Sequence, residues 1–190
     1  MHSHDSRARS AICLGAAIRL NLPVVLLALL LTATTGHSFT ALYAFGDSLS
    51  DTGRNPAPAP SYFNGRFSNG PLWVEYLSTS FGLAYNPSNN FAVAGSTTSN
   101  LLSQVAGVSA SPSLKSALFT LESGANDFVA NIDLGSNDLA WSAVIASAVA
   151  NTTNAVAVLY TKGAREVLVG NLLNIGQTPL FSTLPADEVV

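Results

Sequence analysis

Four short apolar runs, none of them alternating with polar residues, constrain the fold of this chain more than any other feature. The runs lie at residues 41–45, 90–95, 118–127 (where the strand runs into a turn) and 165–172. Strands of this kind are buried on both faces, as in a parallel sheet covered by helices. Helical signals occupy residues 71–82, 99–105 and 136–163. The alternation of strand and helix predicts an α/β fold with helices above and below a parallel sheet.

Capping and helix-stopping residues give the expected ends of two helices. Pro71 is expected to open the first helix and Gly82 to end it. Ser136 or Asn137 is expected to cap the long third helix, and Gly163 to end it. One face of that helix is expected to carry Trp141, Ile145, Ala148, Thr152, Val156 and Leu159.

The first 38 residues differ in composition from the rest of the chain. Arg7, Arg9 and Arg19 precede or interrupt an apolar stretch that is unbroken from residue 22 to 31, and small polar residues follow. A basic leader, an apolar run of about ten residues and a small-residue exit are typical of a secretory signal peptide. We therefore expect residues 1–38 to be a signal peptide, with a retained N-terminal anchor as the alternative, and residues 39–190 to form one exported domain. Contact with a membrane is expected only through an uncleaved leader.

Charge and residue usage exclude several kinds of site in residues 39–190. The formal net charge of the whole chain is −3 and no run of Lys or Arg occurs in it, which argues against a nucleic-acid partner. The single cysteine, Cys13, and all three histidines, His2, His4 and His37, lie in the leader. No disulfide, metal or organic cofactor is therefore expected in the domain.

Polar turns follow the first three predicted strands at the point where each strand ends. They are Gly46-Asp47-Ser48, Ala94-Gly95-Ser96 and Gly124-Ala125-Asn126-Asp127. Because ligands of parallel α/β sheets bind beyond the carboxyl ends of the strands, we expect these turns to converge on one site. Ser48 offers a hydroxyl close to backbone N–H groups, Gly95 lets a substrate approach the backbone, and Asn126 offers an amide donor for an oxyanion.

The same turns resemble those of the GDSL, or SGNH, hydrolase family of esterases and lipases. The G-D-S-L element stands at residues 46–49 and is followed by Asp51 and Gly53. Residues 65–77 and 163–179 are also similar to stretches of the family, and Gly95 and Asn126 match its glycine and G-x-N-D elements. The resemblance implies a three-layer α/β/α, flavodoxin-like fold that hydrolyses small-molecule, lipid or carbohydrate esters through an acyl-serine. It implies Ser48 as the nucleophile, with the amides of Ser48 and Gly95 and the side chain of Asn126 binding the oxyanion.

One element of the family is missing from the sequence. Its catalytic His and orienting Asp come from a D-x-x-H element, and no such element occurs in the 190 residues. The chain is therefore expected to be either the N-terminal portion of a longer esterase, with its sheet truncated before the last strand, or a short relative without hydrolytic activity. The alternative function is a catalytically dead module of the same fold that binds an acyl or carbohydrate ligand. A flavodoxin-like domain for another small molecule is a third reading, although no Gly-rich phosphate loop is present.

Overall fold

The computed structural model describes residues 38–58, 60–134 and 137–182. Residues 1–37 of the expected signal peptide, with the only cysteine and all three histidines, lie outside these residues, as does Ser136.

Three strands and five α-helices make up the regular structure of the described chain. In chain order they are β1 (Leu42–Gly46), α1 (Trp73–Ser80), α2 (Leu101–Ala106), β2 (Leu118–Glu122), α3 (Ala125–Val129), α4 (Asp138–Lys162), β3 (Glu166–Val169) and α5 (Pro179–Ser182). Short 3-10 helices lie at Pro87–Asn89, Thr98–Asn100, Pro112–Ser116, Ile132–Leu134 and Ile175–Gln177. The predicted strands at 41–45, 118–127 and 165–172 and all three predicted helices are confirmed.

The three strands form one parallel sheet in the order β1-β2-β3. The register places Leu42 opposite Leu118 and Gly46 opposite Glu122, so β1 and β2 end side by side. Their carboxyl ends therefore lie at the same edge of the sheet, as the sequence predicts.

The prediction of a strand at residues 90–95 is wrong, because the segment does not form a full strand. This segment makes one isolated parallel bridge to β1, between Asn90 and Ala44. Two of its amides donate to β1, from Phe91 N to Ala44 O at 2.7 Å and from Val93 N to Gly46 O at 3.1 Å. A parallel ladder would also need Gly46 N to donate to this segment. Gly46 N donates instead to the Gln104 side chain at 2.8 Å, so the ladder is incomplete.

Helices cover both faces of the sheet, which gives three layers. One face packs Leu42, Ala44 and Leu118 against Leu72 and Val74 at the start of α1. The other face is formed by Phe45, Phe119 and Leu121 and packs against α2 and α4, whose core residues are Leu101, Val105, Ala155 and Leu159. Side chains alternate between the faces of a strand, so β1 and β2 are buried on both sides. The expected burial does not hold for β3, in which Val167 is half-buried and the other three residues are exposed.

The long helix α4 begins and ends where the sequence predicts. The side chain of Asn137 accepts a hydrogen bond from Ala140 N at 3.1 Å, and Gly163 follows the last turn with φ of 121°. Trp141 and Leu159 are buried as predicted, whereas Ile145 on the same predicted face is exposed. By length and composition alone α4 could cross a membrane. Trp141, Ala155 and Leu159 are its buried residues, and most of the helix is exposed or half-buried in the described fold.

Candidate active site

Strand β1 can run into the Ser48 turn only because its last residue is a glycine. Gly46 has φ of 141°, a backbone conformation that residues with a side chain rarely adopt. A Cβ atom at this position would lie 1.8 Å from the carbonyl oxygen of Glu122 on β2. The glycine therefore allows the two strand ends to approach closely and places Ser48 two residues beyond the sheet.

Backbone and side-chain bonds to Asp47 form the turn that carries Ser48. The carbonyl of Asp47 accepts hydrogen bonds from Ser50 N at 3.1 Å and Asp51 N at 2.9 Å. One oxygen of its carboxyl group accepts from Leu49 N at 3.0 Å. Asp47 and Ser50 are buried while Ser48 between them is half-buried. Within the described residues, the backbone N–H and the hydroxyl of Ser48 make no hydrogen bond.

The second turn holds Gly95 at the surface, close to the first. Gly95 has φ of 84°, and the position of a Cβ has open space around it. Its N–H donates to no acceptor in the described part of the chain. The neighbouring amide of Ala94 donates to the carboxylate of Asp51 at 2.8 Å, which ties this turn to the loop that follows Ser48.

The third turn places Asn126 against the second. Its side-chain Nδ2 donates to the carbonyl of Ser96 at 2.9 Å. The next residue, Asp127, accepts bonds from Thr98 N at 2.8 Å and Thr98 Oγ1 at 2.6 Å. An amide nitrogen carries two hydrogens, so Asn126 keeps one N–H group for a ligand while the other fixes its orientation.

Gln104, which the sequence did not single out, joins two of these turns. Its side chain lies on α2, accepts a bond from Gly46 N at 2.8 Å and returns one to Gly46 O at 2.9 Å. The same Nε2 donates to Ser96 Oγ at 3.2 Å. A glutamine on a predicted helix is usually expected at the surface. The sequence therefore does not indicate that Gln104 is buried and bonded to two turns.

The predicted site residues therefore lie on three turns that are bonded to one another. Asn126 contacts the Gly95 turn directly through Ser96 O. Ser48 is linked to the Gly95 turn through Asp51 and Gln104, and its own side chain makes no hydrogen bond to Gly95 or Asn126 within the described residues.

Two carboxyl groups lie beneath the Ser48 turn, that of the buried Asp47 and that of the half-buried Glu122. Burial, followed by the charge of Asp47 and a hydrogen bond with it, raises the pKa of Glu122 to about 7. Burial likewise raises the pKa of Asp47. Ser50 Oγ donates to Glu122 Oε2 at 3.5 Å and accepts a bond from the indole of Trp73 at 3.1 Å. No sequence feature singles out Glu122, because the position of a glutamate at a strand end does not indicate a carboxyl partner.

A largely apolar cavity of about 420 Å³ opens beside the third turn. Ser123 and Gly124, which precede Asn126, form one wall, and Phe128, Val149 and Leu172 lie among the apolar lining. Its volume lies within the range of ligand pockets, about 300–1,000 Å³. Among the residues that the structure describes, no three His, Cys, Asp or Glu side chains are grouped so as to hold a metal ion.

Comparison with known proteins gives a match over most of the described chain. Residues 42–189 match the family described as GDSL-like Lipase/Acylhydrolase. The chain is 33% identical over 171 residues to a phosphatidylcholine-sterol acyltransferase of Aeromonas hydrophila, covering 77% of this chain and 48% of that protein. It is 32% identical over 167 residues to a thermolabile hemolysin of Vibrio parahaemolyticus, covering 77% and 37%. A GDSL esterase/lipase of Arabidopsis thaliana is 29% identical over 210 residues, covering 80% and 58%. The chain spans about half the length of the curated relatives it matches.

Proposed function

The chain belongs to the family of GDSL-like lipases and acylhydrolases, and from this membership we propose that it is an exported serine ester hydrolase. The family supports esterase- or lipase-type activity, and the parallel α/β fold agrees with it. Export is supported by the basic leader and by the apolar run at residues 22–31.

The proposed reaction uses Ser48 as the nucleophile. Its oxygen attacks the carbonyl carbon of the ester, the proton passes to a base, and the carbonyl oxygen becomes an oxyanion. Collapse of this tetrahedral species expels the alcohol and leaves an acyl-serine, which water then hydrolyses. The half-buried, unbonded hydroxyl of Ser48 supports this role, because it is accessible and has no competing partner in the described chain.

Three hydrogen donors are proposed to hold the oxyanion. They are the backbone N–H groups of Ser48 and Gly95 and the second N–H of the Asn126 side chain. Neither backbone N–H group has an acceptor within the described residues, which is the observation that carries the proposal. Removal of one such donor from an enzyme typically slows the chemical step about 100- to 1,000-fold.

The acyl part of the ester is proposed to enter the apolar cavity beside the third turn. Ser123 and Gly124 place the cavity next to Asn126 along the chain, and Phe128, Val149 and Leu172 supply apolar contacts. Burial of a hydrocarbon chain there would be favourable by about 0.8 kcal/mol for each CH₂ group. This arrangement favours carboxylic esters with an apolar acyl chain.

A base for Ser48 is not found among these 190 residues. No histidine occurs beyond His37, and no D-x-x-H element is present. We therefore propose that the chain by itself turns over esters at a rate close to the uncatalysed one. Binding of an acyl ligand without any Ser48 chemistry would favour the alternative, a catalytically dead module of the same fold.

Chemical rescue tests the proposed reaction on this chain. Imidazole added to the solution can serve as the base that the chain lacks, because its neutral form accepts the proton of a serine hydroxyl. Hydrolysis of p-nitrophenyl acetate with imidazole should exceed that of imidazole alone, and Ser48→Ala should remove the excess. Ser88→Ala, on an exposed serine of a 3-10 helix, is the matched control and should keep it. Equal rates for the unaltered chain and Ser48→Ala would contradict the proposal.

A further inference from the structure

Glu122 lies closer to the nucleophile turn than its position in the sequence indicates. It is the register partner of Gly46, and its carbonyl oxygen occupies the space where a Cβ of residue 46 would stand. The stem of its side chain lies near Gly170, just beyond β3, where a Cβ would be 3.4 Å from Glu122 Cγ. The end of β2 is thus enclosed between the ends of its two neighbouring strands.

The carboxyl group of Asp47 has one unsatisfied oxygen at this point. Asp47 is 1% exposed, and its Oδ1 accepts the bond from Leu49 N. Its Oδ2 is buried and has no N–H or hydroxyl donor in the described residues. The carboxyl group of Glu122 is within hydrogen-bond reach of Asp47. A buried carboxylate oxygen without a donor is costly, and a proton on Glu122 supplies that donor.

We propose that Glu122 is a positioning residue for the nucleophile: its protonated carboxyl group donates a hydrogen bond to Asp47 Oδ2 and so holds the turn that carries Ser48. The inference rests on the proposed function for its consequence in catalysis. The shared proton itself does not depend on that function.

The electrostatic surroundings favour a protonated Glu122 up to neutral pH. Burial raises its pKa first, and the negative charge of Asp47 raises it further, to about 7. The charges that act on the pair are carboxylates: Asp47 and Glu122 act on each other, and Asp127 in α3 acts on Asp47. Two carboxyl groups that share a site hold one proton between them, because the second negative charge is strongly disfavoured.

Loss of this proton would disturb the turn at its anchor. Asp47 binds the amides of Leu49, Ser50 and Asp51, so a displaced Asp47 moves the segment that contains Ser48. Repulsion between two ionised carboxylates, one buried and one half-buried, supplies the force for such a displacement. The nucleophile turn is therefore expected to be well ordered below about pH 7 and less ordered above it.

Trp73 reports on this pair without any need for catalysis. Its indole N–H donates to Ser50 Oγ, which donates to Glu122 Oε2. The chain has two tryptophans, so Trp141→Phe leaves Trp73 as the fluorophore. Its emission should change sigmoidally with a midpoint near pH 7, and the transition should be lost in Glu122→Gln, whose amide donates at every pH. A curve with the same midpoint in Glu122→Gln would overturn the proposal.

If the Trp141→Phe chain does not fold, thermal unfolding of proteins that keep both tryptophans tests whether Glu122 and Asp47 share a proton. The midpoint temperature of Glu122→Gln minus that of the original chain should increase as the pH is raised from 5 to 8. A constant difference across this range would overturn the shared proton.

The imidazole-assisted rate tests positioning separately. At pH 8.5 the Ser48-dependent rate of Glu122→Gln should exceed that of the original chain several-fold, whereas Glu122→Ala, which lacks the donor, should fall several-fold below Glu122→Gln. Equal rates for the Gln and Ala variants would overturn the positioning role. Absence of any Ser48-dependent rate, together with the fluorescence transition, would reject the proposed function and the catalytic consequence but retain the shared proton.

Discussion

The carboxylate of Asp51 accepts a hydrogen bond from the amide of Ala94 at 2.8 Å, and this contact joins the loop after Ser48 to the turn that carries Gly95. The two residues are 43 positions apart in the chain. Asp51 also binds the amides of Gly53, Arg54 and Asn55 at 2.8, 2.6 and 2.9 Å. One buried side chain thereby fixes the distance between the proposed nucleophile and one proposed oxyanion donor.

Asp51→Asn should destabilise the fold. An asparagine of the same shape keeps one acceptor oxygen but turns an NH₂ group toward amides that are themselves donors. We expect the free energy of unfolding to fall by about 3 kcal/mol, measured by urea denaturation, because buried amides lose a charged acceptor. Asp133→Asn, at an exposed aspartate, is the control and should change it by less than about 0.5 kcal/mol. Equal effects at the two positions would show that Asp51 does not hold the loops together.

Gly46→Ala should be among the most damaging small substitutions in the chain. The new methyl group would meet the carbonyl of Glu122 at 1.8 Å in a backbone conformation with φ of 141°. Neither strand can move without breaking the register of β1 and β2, so we expect a loss of more than about 3 kcal/mol or a failure to fold. Gly70→Ala, where nothing lies within 4 Å of the added atom, should be nearly neutral. Circular dichroism and urea denaturation of both variants decide the matter, and a stable Gly46→Ala protein would refute the close approach.

Gln104→Met should uncouple two of the turns while it keeps the volume of the side chain. The substitution leaves Gly46 N without its buried acceptor and removes the bonds to Gly46 O and Ser96 Oγ, although Gly46 O keeps the bond from Val93 N. We expect the free energy of unfolding to fall by about 1–3 kcal/mol, the usual cost of one unsatisfied buried group such as Gly46 N. Urea denaturation measures the change, and an unaltered midpoint would show that these bonds are not needed to join the turns.

Asn126→Ala should lower the imidazole-assisted, Ser48-dependent rate about 100-fold or more, because one proposed oxyanion donor is lost. The free energy of unfolding should change less, since the bond to Ser96 O is the one hydrogen bond of this side chain in the described residues. Asn69→Ala, at an exposed asparagine in the loop before α1, is the matched control and should retain the rate. A rate retained by both variants would remove Asn126 from the site.

Stability should depend on pH through Glu122 in a direction opposite to that of an ordinary salt-bridged acid. Its pKa is raised from 4.5 to about 7 in the folded chain, so the folded state binds the proton more tightly than the unfolded state. The contribution of Glu122 is therefore largest below about pH 4.5, falls as pH rises to about 7, and is constant above it; the total is on the order of 3 kcal/mol. The difference in unfolding free energy between the original chain and Glu122→Gln isolates this contribution. A difference that grows in favour of the original chain with rising pH would contradict the sign.

Much of the fold follows from local sequence signals, and particular residues show why. Apolar runs without alternation mark β1 and β2 because both faces of these strands are covered. The same kind of run marks β3, although most of its residues are exposed in the described chain. Asn137 and Gly163 mark the ends of α4 because capping and left-handed termination need those residue types. The three polar turns could be placed together because parallel strands end at a common edge.

The contacts that the sequence could not indicate are those between distant residues. Gln104 meets Gly46 across 58 positions, and Ser50 meets Glu122 across 72. No local pattern shows that the side chain of a helical glutamine will accept a hydrogen bond from Gly46 N. Because of this bond, residues 90–95 form an isolated bridge and not a full strand. The raised pKa of Glu122 likewise depends on its burial and on the nearby Asp47. The position of a glutamate at the end of a strand indicates neither of these.

The most direct measurement is a crystal structure of the chain after reaction with a p-nitrophenyl alkylphosphonate in imidazole buffer. The phosphonyl group imitates the tetrahedral intermediate, so its oxygen marks the position of the oxyanion. We predict phosphorus bonded to Ser48 Oγ, with the phosphonyl oxygen about 2.7–3.1 Å from Gly95 N and Asn126 Nδ2. Label on another residue, or a Ser48 adduct whose oxygen points away from both donors, would contradict it.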